Sequence, residues 1–503
     1  MIPASVRLPN LPRLLAVALA LTAGGTGSLP AQLISPKTVP VHQGEQFGIF
    51  PAQWPGMGGV SIALPDTLGD LWSNPAKATR LQVGSVQVMP FTHSATSGGG
   101  RSLPVSLLQT SGSFAGGVLY SAQELERTDS WWNQTISDRR ASNTYYAAVL
   151  ARRFGGGLAV GAGVSYADLG GVDGVGALYS SSDRVRQSGT QLDARLGLTR
   201  DFEGGGTLEL VAVSYRYRMS HEVHYPQTWR WLAPCDCPLA GDCSCDPPFA
   251  EPERTELNLD RTNNAGLQTV YLSPKTESGW RMGYLFTANR LSHPKIPNYQ
   301  IQNIPRDPGN TDAFNVGFGL ARNLGHSTFG VDVIMEPMWS HTWADAAGDT
   351  MNVNGDVLRQ GAHTVDNHFR FSNSRVAVGF GHDFPGSNDS AMTLGIQAGV
   401  AMRTIRYTLD QSNHVSLESR TQNEAWTEWN PTFAIRMRGR DLEVSYALSY
   451  TCGPTCFSLG DRLFVVADAA PAAPGVIAAP SAPLTFDGGS AGQHRIMVSI
   501  RLR

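Results

Sequence analysis

An alternation of apolar with polar or very small residues runs through most of this chain, and it limits the fold more than any other feature. Leu394, Ile396 and Ala398, for example, are apolar, whereas the residues between them are Gly395 and Gln397. Successive side chains of a β-strand point to opposite faces. Each such segment therefore has one apolar face and one polar or tiny face, as a half-buried strand requires.

Sixteen segments of this kind can be marked along the chain, and the lengths of their connectors alternate. After a first connector of 7 residues, one set has 1 to 6 residues and the other has 18 to 46 residues. The segments are 81–93, 101–111, 113–123, 143–153, 157–168, 188–200, 207–219, 266–275, 279–291, 313–322, 327–341, 366–384, 391–409, 428–438, 442–451 and 493–503.

This arrangement predicts an all-β fold, a transmembrane antiparallel β-barrel of 14–16 strands. A soluble antiparallel sheet with one wet face would also alternate, but it gives no reason to place the long connectors at one end. Transmembrane barrels combine an even strand number with short turns at one end and long loops at the other. Closure also pairs every backbone group, as hydrocarbon demands. The apolar faces should then contact lipid, and Tyr166, Trp280, Trp339, Tyr446 and Tyr450 belong to that register.

The N-terminus reads as a secretory signal peptide. Arg7 and Arg13 precede the apolar stretch 14–23, and small residues lead to a cleavage site expected after Ala31. That stretch is about half the roughly 20 residues that a membrane-spanning helix needs. A short anchor helix is the alternative. An exported barrel would lie in the bacterial outer membrane.

The composition gives no support for binding to nucleic acid. The net charge is −3 and only 16% of the residues are charged, whereas nucleic-acid binding needs a basic face. The 54 glycines and the low charge suit a chain that is mostly strands in a membrane. No cofactor is expected.

A short motif stands just before the first predicted strand. It contains Asp70, Trp72 and the tripeptide Asn74-Pro75-Ala76. Placed after a signal peptide and before sixteen strand-like segments, it resembles the N-terminal signature of the FadL-type outer-membrane transporters of hydrophobic compounds, which include TodX-like proteins. It is also similar to the related barrels of the PorV type, which serve protein secretion.

The resemblance implies an N-terminal hatch inside a fourteen-stranded barrel. The expected organisation is a signal peptide at 1–31, a hatch at 32–80 and a transmembrane barrel at 81–503. Without the resemblance, an Asn-Pro pair also fits a plain structural turn that starts the first strand.

The function that this resemblance implies is passive uptake of small hydrophobic compounds. The alternative is an interaction barrel that serves protein secretion or surface anchoring. The expected partners are outer-membrane lipid, the barrel assembly machinery and a small hydrophobic ligand.

Charged residues on the inward register are candidates for a permeation path or for ion pairs that hold the hatch. Inward glycines would leave room beside the wall for an inserted segment. The charged candidates are Asp193, Arg195, Arg281, Asp332, Glu336, Arg375, Arg403, Arg436, Glu443, Arg495 and Arg501.

The six cysteines fall in two predicted outer loops. An even number in an exported chain favours disulfides, with undetermined pairing. The first four could instead bind zinc, although zinc sites more often use a C-x2-C spacing, so no metal site is expected. The candidates are Cys235, Cys237, Cys243 and Cys245 in the loop 220–265, and Cys452 and Cys456 in the last loop.

An enzyme is not expected. The one G-x-S-x-G match, Gly488-Gly489-Ser490-Ala491-Gly492, directly precedes the last predicted strand, whereas a nucleophile elbow lies between a strand and a helix. The sequence His221-Glu222-Val223-His224 spaces its histidines one position too closely for the helical zinc pair of a metalloprotease.

Overall fold

The computed structural model describes residues 49–95, 98–127, 140–171, 182–230, 249–293, 309–346, 348–384, 392–452 and 490–502. One antiparallel sheet closes on itself into a barrel of sixteen strands. Its first strand has two pieces, β1 (Ser85–Val88) and β2 (Phe91–Ala95), which share the same two neighbours. The last strand, β21 (Ser490–Arg501), pairs with both pieces and so closes the barrel.

Consecutive barrel strands pair with each other around the whole sheet. The short strands β9 (Thr228–Arg230), β10 (Phe249–Glu251), β15 (Thr350–Met351) and β16 (Val357–Leu358) form two small hairpins outside the barrel sheet. The other barrel strands are β3 (Gly98–Ser111), β4 (Phe114–Arg127), β5 (Arg140–Arg153), β6 (Leu158–Leu169), β7 (Arg184–Asp201), β8 (Thr207–Tyr225), β11 (Arg254–Leu272), β12 (Trp280–His293), β13 (Gly309–Leu324), β14 (Ser327–Asp345), β17 (His363–Phe384), β18 (Thr393–Asn413), β19 (Glu418–Arg438) and β20 (Leu442–Cys452).

The fold class predicted from the sequence is confirmed, and each of the sixteen predicted segments overlaps one barrel strand. The barrel has sixteen strands, as counted from the sequence, rather than the fourteen that the family resemblance implies. The largest difference in position concerns residues 254–265, which the sequence pattern places in a loop and which belong to β11. Most of these residues are polar, and Leu257 and Leu259 are apolar on one face only. The alternation there is too short to mark a strand in contact with lipid.

The apolar register faces outward. Leu150 and Leu196, for example, are 61% and 65% exposed, as side chains in contact with lipid would be. The neighbouring register faces the lumen, where Gln397 is buried. Of the five aromatic residues assigned to the outward face, Tyr166, Trp339, Tyr446 and Tyr450 are exposed and Trp280 is half-buried.

Residues 49–80, which we name the inner segment, cross the lumen. A methyl group added to Gly161 of β6 would lie 2.6 Å from the Ala76 nitrogen, and one added to Gly399 of β18 would lie 2.3 Å from the Gly58 nitrogen. These two strands are far apart in the barrel order, so the segment touches opposite walls. It contains the one-turn helix α1 (Asp70–Ser73) and a 3-10 helix (Pro75–Arg80). No helix among the described residues is long and apolar enough to span a bilayer.

Candidate functional site

Side chains of the barrel wall hold the backbone of the front part of the inner segment, residues 53–62. Gln397 on β18 accepts a hydrogen bond from the Gly56 amide at 3.0 Å. Thr432 on β19 donates to the Gly56 carbonyl and accepts from the Gly58 amide, both at 2.8 Å. The wall therefore bonds to main-chain groups, which do not depend on the side chains of the segment.

Two charged residues on neighbouring strands continue this pattern. Arg375 on β17 donates to two consecutive carbonyl oxygens at 3.2 Å each, and Asp332 on β14 accepts from two consecutive amides at 2.6 and 3.0 Å. Asp332 is buried by this contact. The main-chain groups belong to Gly58, Gly59, Ser61 and Ile62.

The Asn74-Pro75-Ala76 motif packs against glycines of the wall. Asn74 caps the 3-10 helix, because its side-chain oxygen accepts from the Ala76 amide at 3.2 Å, and Pro75 suits the first helical position. A methyl group on Gly197 would lie 2.1 Å from the Asn74 side-chain oxygen, and one on Gly161 would collide with the Pro75 carbonyl carbon at 2.6 Å. Only a residue without a side chain fits at these two wall positions.

The α1 helix that precedes this motif is held at its C-terminal end. Trp72 is buried and stacks on Phe50 with ring centroids 5.4 Å apart. Arg195 on β7 donates to the carbonyls of Trp72 and Ser73 at 3.3 Å each. Asp193 orients this arginine through two hydrogen bonds of 3.0 and 2.8 Å. A cation at this end also suits the helix dipole.

Lys77 forms a buried ion-pair centre between the inner segment and the wall. Its ammonium group lies 2.9 Å from both Asp70 of α1 and Glu209 of β8. Burial is the largest single influence on Lys77 and acts to lower its pKa, but the two carboxylates outweigh it and raise the pKa above its ordinary value. Arg80 lies 3.3 Å from Asp201, which extends the network to the end of β7.

Asp66 lies between the front part and α1. It accepts hydrogen bonds from the amides of Gln53 (2.7 Å), Leu68 (2.9 Å) and Gly69 (2.9 Å). Burial, followed by the negative charge of Asp70, raises the pKa of Asp66 to about 6. This carboxyl group therefore titrates much closer to neutral pH than an exposed aspartate does.

The remaining charged candidates also lie on the inward register, and most of them contact other wall residues. Arg403 pairs with Glu336 at 3.1 Å, and Arg436 binds Asp383 at 2.7 and 2.9 Å. The other contacts are Glu443 with Arg438 at 2.8 Å, Arg281 with the Ser273 carbonyl at 3.2 Å, Arg495 with the Phe91 ring at 5.4 Å, and Arg501 with the Arg440 carbonyl at 3.4 Å.

A cavity of 410 Å³ lies above the front part of the inner segment, on the side of the long connectors. Gly58 and Gly59 line its floor. Arg375, Arg403 and Glu428 line its wall and are direct neighbours across β17, β18 and β19. Its size is within the range of small-molecule sites.

Apolar side chains line the lumen immediately beyond this charged tier. Phe371, Tyr407 and Trp426 follow on the same three strands, with ring centroids 5.5 and 6.4 Å apart. We name these three side chains and the apolar residues packed against them the aromatic wall, and all of them lie on the inward register. The full set is Leu291, Ala313, Met338, Phe369, Phe371, Ile405, Tyr407, Leu409 and Trp426.

Two parts of this site do not follow from the sequence pattern. Lys77 and Glu209 were not selected, because a single lysine and a single glutamate have no local pattern. The aromatic wall was also missed. A signal existed, since Phe369, Phe371 and Tyr407 are apolar residues on the register that elsewhere carries the polar side chains.

The sequence also singles out six cysteines and a pair of histidines. Cys235, Cys237, Cys243, Cys245 and Cys456 lie outside the described residues, and the Cys452 sulfur at the end of β20 lies 3.8 Å from the Trp429 carbonyl oxygen. His221 and His224 are three residues apart on β8, so they point to opposite faces of the strand.

Comparison with known proteins gives a loose likeness of overall architecture. No family model and no curated protein matches the chain. Among solved structures, the CymD monoaromatic hydrocarbon channel is 12% identical and has a TM-score of 0.38, with 90% of this chain and 97% of that chain covered. The Pseudomonas putida toluene transporter TodX is 12% identical with a TM-score of 0.36, covering 89% and 96%. The E. coli K12 ferric-catecholate import receptor Fiu is 10% identical with a TM-score of 0.36, covering 84% and 82%. Likeness at this level carries no argument about function.

Proposed function

We propose that this protein is a passive channel of the bacterial outer membrane that takes up small hydrophobic compounds, and that the cavity and the aromatic wall form its binding site. The observation that carries this proposal is the aromatic wall. A water-filled channel lines its lumen with polar groups. Phe371, Tyr407 and Trp426 instead give the lumen an apolar surface next to a cavity large enough for a small ligand.

The aromatic wall comes before the cavity along the lumen, and this order suits a hydrophobic compound that moves inward. It would leave water on the apolar surface of the aromatic wall, where burial of its own apolar area is favourable. It would then reach the cavity, where apolar residues such as Phe91 and Leu448 lie beside polar and charged side chains that could orient the ligand. No energy source is needed for this movement.

The inner segment gives the channel its selectivity in this proposal. Because residues 49–80 cross the lumen and bond to opposite walls, they would act as a hatch that excludes sugars and ions. A hydrophobic ligand would pass by displacing part of this hatch, whereas a hydrated solute would find no wide aqueous path.

The test compares one residue of the aromatic wall with its sequence neighbour. Tyr407→Asn removes a lumen-facing ring, and the matched control Arg406→Asn changes an exposed side chain on the opposite face of β18. Saturable binding of toluene to protein in nanodiscs, with empty nanodiscs subtracted, should weaken about tenfold in Tyr407→Asn and stay unchanged in Arg406→Asn.

A second measurement covers the hatch. Proteoliposomes that contain the unaltered protein should swell no faster in arabinose than protein-free liposomes. Absence of saturable toluene binding, or rapid swelling in arabinose, would contradict the proposed function and favour an interaction barrel or a general porin.

A further inference from the structure

Three exposed arginines form a patch on the outside of the barrel. Arg216 and Arg218 lie on β8 and Arg261 lies on β11, all on the outward register. Arg218 and Arg261 are directly opposite each other across the two strands, and Arg216 is diagonal to Arg261. Like charges in directly opposed positions destabilise a sheet, so this arrangement needs a compensating partner.

Three other outward arginines have acidic partners. Arg101 lies 2.5 Å from Glu124, Arg370 lies 2.5 Å from Asp410, and Arg290 lies 4.0 Å from Asp312. Within the described part of the chain, no carboxylate forms an ion pair with the three residues of the arginine patch. Their positive charge is therefore available to a ligand.

The arginine patch borders the apolar surface of the barrel. Leu192 on β7 lies directly opposite Arg216, and Leu196 farther along the same outward face is 65% exposed. On β11, Leu267 is half-exposed and lies six residues from Arg261 in the direction of the short connectors. The patch is thus on the long-connector side of the apolar band. In the membrane orientation of the proposed function, on which this inference rests, that is the level of the outer-leaflet head groups.

We propose that the arginine patch binds the phosphate group of a lipid in the outer leaflet. Guanidinium groups donate paired hydrogen bonds that match the geometry of a phosphate, and they lose less hydration than an ammonium does. The acyl chains of the same lipid would lie on the apolar surface beside Leu192 and Leu267. A phosphate between Arg218 and Arg261 relieves the repulsion that the opposed pair creates.

The experiment uses the full-length protein and diphosphoryl lipid A as the probe, with retained lipid counted by native mass spectrometry. In the test variant, Arg216, Arg218 and Arg261 are replaced by glutamine. The control variant carries the same three replacements at Arg101, Arg290 and Arg370, which lie on the outward face and already have acidic partners.

Affinity for lipid A should fall about fivefold per patch arginine, on the order of 100-fold for all three, and should change little in the control variant. Lipid A stripped of its phosphates should bind as weakly to the unaltered protein as lipid A binds to the test variant. Millimolar inorganic phosphate should compete only weakly, because it lacks the acyl chains.

Four results would overturn the inference: no lipid A retained by the unaltered protein, equal loss in the two variants, strong binding of the phosphate-free lipid, or full displacement by inorganic phosphate. The last would assign the patch to free phosphate. Toluene binding separates this inference from the proposed function. If toluene binds saturably while lipid A does not depend on the patch, only this inference fails. If the patch retains lipid A and toluene does not bind, only the uptake proposal fails.

Discussion

The front and rear parts of the inner segment are attached to the barrel in different ways. In the front part, residues 53–62, wall side chains such as Gln397 and Thr432 bond to main-chain groups. In the rear part, residues 70–80, Lys77 forms a buried ion-pair centre with the wall, and Asn74 packs on a wall glycine. Both parts pack closely on wall glycines, Gly399 at the front and Gly197 at the rear. The difference is that the wall bonds to main-chain groups of the front part, whereas in the rear part it also forms a buried ion pair with a charged side chain of the segment.

This difference indicates which part can move. In the front part, hydrogen bonds between neutral groups add about 0.5–1.5 kcal/mol each, those of the charged Asp332 and Arg375 add about 1.5–3 kcal/mol, and all of them can be exchanged for bonds to water. A buried charge that loses its partner is much more costly, about 3–5 kcal/mol. We therefore expect the rear part to be the anchor and the front part, which forms the floor of the cavity, to be the part that gives way to a ligand.

The largest effect is expected for Lys77→Met. The substitution leaves the Asp70 carboxylate without its cation and leaves Glu209, which is only 2% exposed, with Arg80 alone at 3.8 Å. Local stability of the rear part should fall by about 3–5 kcal/mol. Hydrogen exchange of residues 70–80 measures this, while heat-modifiable gel migration reports whether the barrel itself stays folded. Replacing Asp70 by Asn and Glu209 by Gln in the same protein should restore part of the loss. If Lys77→Met leaves the hydrogen-exchange protection of residues 70–80 unchanged, the rear part is not the anchor.

A smaller effect is expected for Gly197→Val, which tests packing without changing charge. Its Cβ would lie 2.1 Å from the Asn74 side-chain oxygen, so the motif has to move away from β7. Overpacking of this kind costs about 1–3 kcal/mol. The matched control is Gly155→Ala, because nothing lies within 4 Å of a Cβ at that turn. If thermal unfolding and exchange of residues 74–76 are the same in both variants, close packing does not hold the rear part.

The smallest effect is expected for Gln397→Leu in the front part. It removes the bonds to the Gly56 amide and to the Gln53 carbonyl, for a cost of about 1–2 kcal/mol. Hydrogen exchange should become faster in residues 53–62 but not in α1, and proteoliposomes that contain this variant should become slightly permeable to arabinose.

Gln411→Leu is the control for this substitution, since Gln411 lies on the same face of β18 and bonds to Asn367 of β17. If Gln397→Leu lowers the hydrogen-exchange protection of the front and rear parts equally, the inner segment opens as one unit. The two attachments then do not differ in kind.

The sequence predicts most of the barrel because lipid imposes a local rule. Wherever a strand touches hydrocarbon, alternate residues have to be apolar, so Ile396 and Gln397 could be assigned to opposite faces without knowledge of any other strand. The rule fails beyond the bilayer. Both faces can be mostly polar there, and for this reason the sequence pattern does not mark residues 254–265 of β11 as a strand.

The contacts inside the lumen were not predictable in the same way. Inward side chains meet partners that are remote in the chain: Gly56 and Gln397, which share a hydrogen bond, are 341 positions apart. From the alternation, Gln397 is one polar lumen residue among many, for which replacement by arginine should be tolerated. In the structure it is buried against Gly56, and we therefore expect a larger charged side chain at this position to displace the inner segment.

The sequence by itself thus determined the fold class, the position of nearly every strand and the face of each residue, because these depend on period-two contact with lipid. Only the tertiary structure decided which lumen residues serve the inner segment, which pair with one another and which line the cavity. Those assignments depend on the closure of sixteen strands around residues 49–80, which brings β6 and β7 on one side, and β17, β18 and β19 on the other, against the same short stretch of chain.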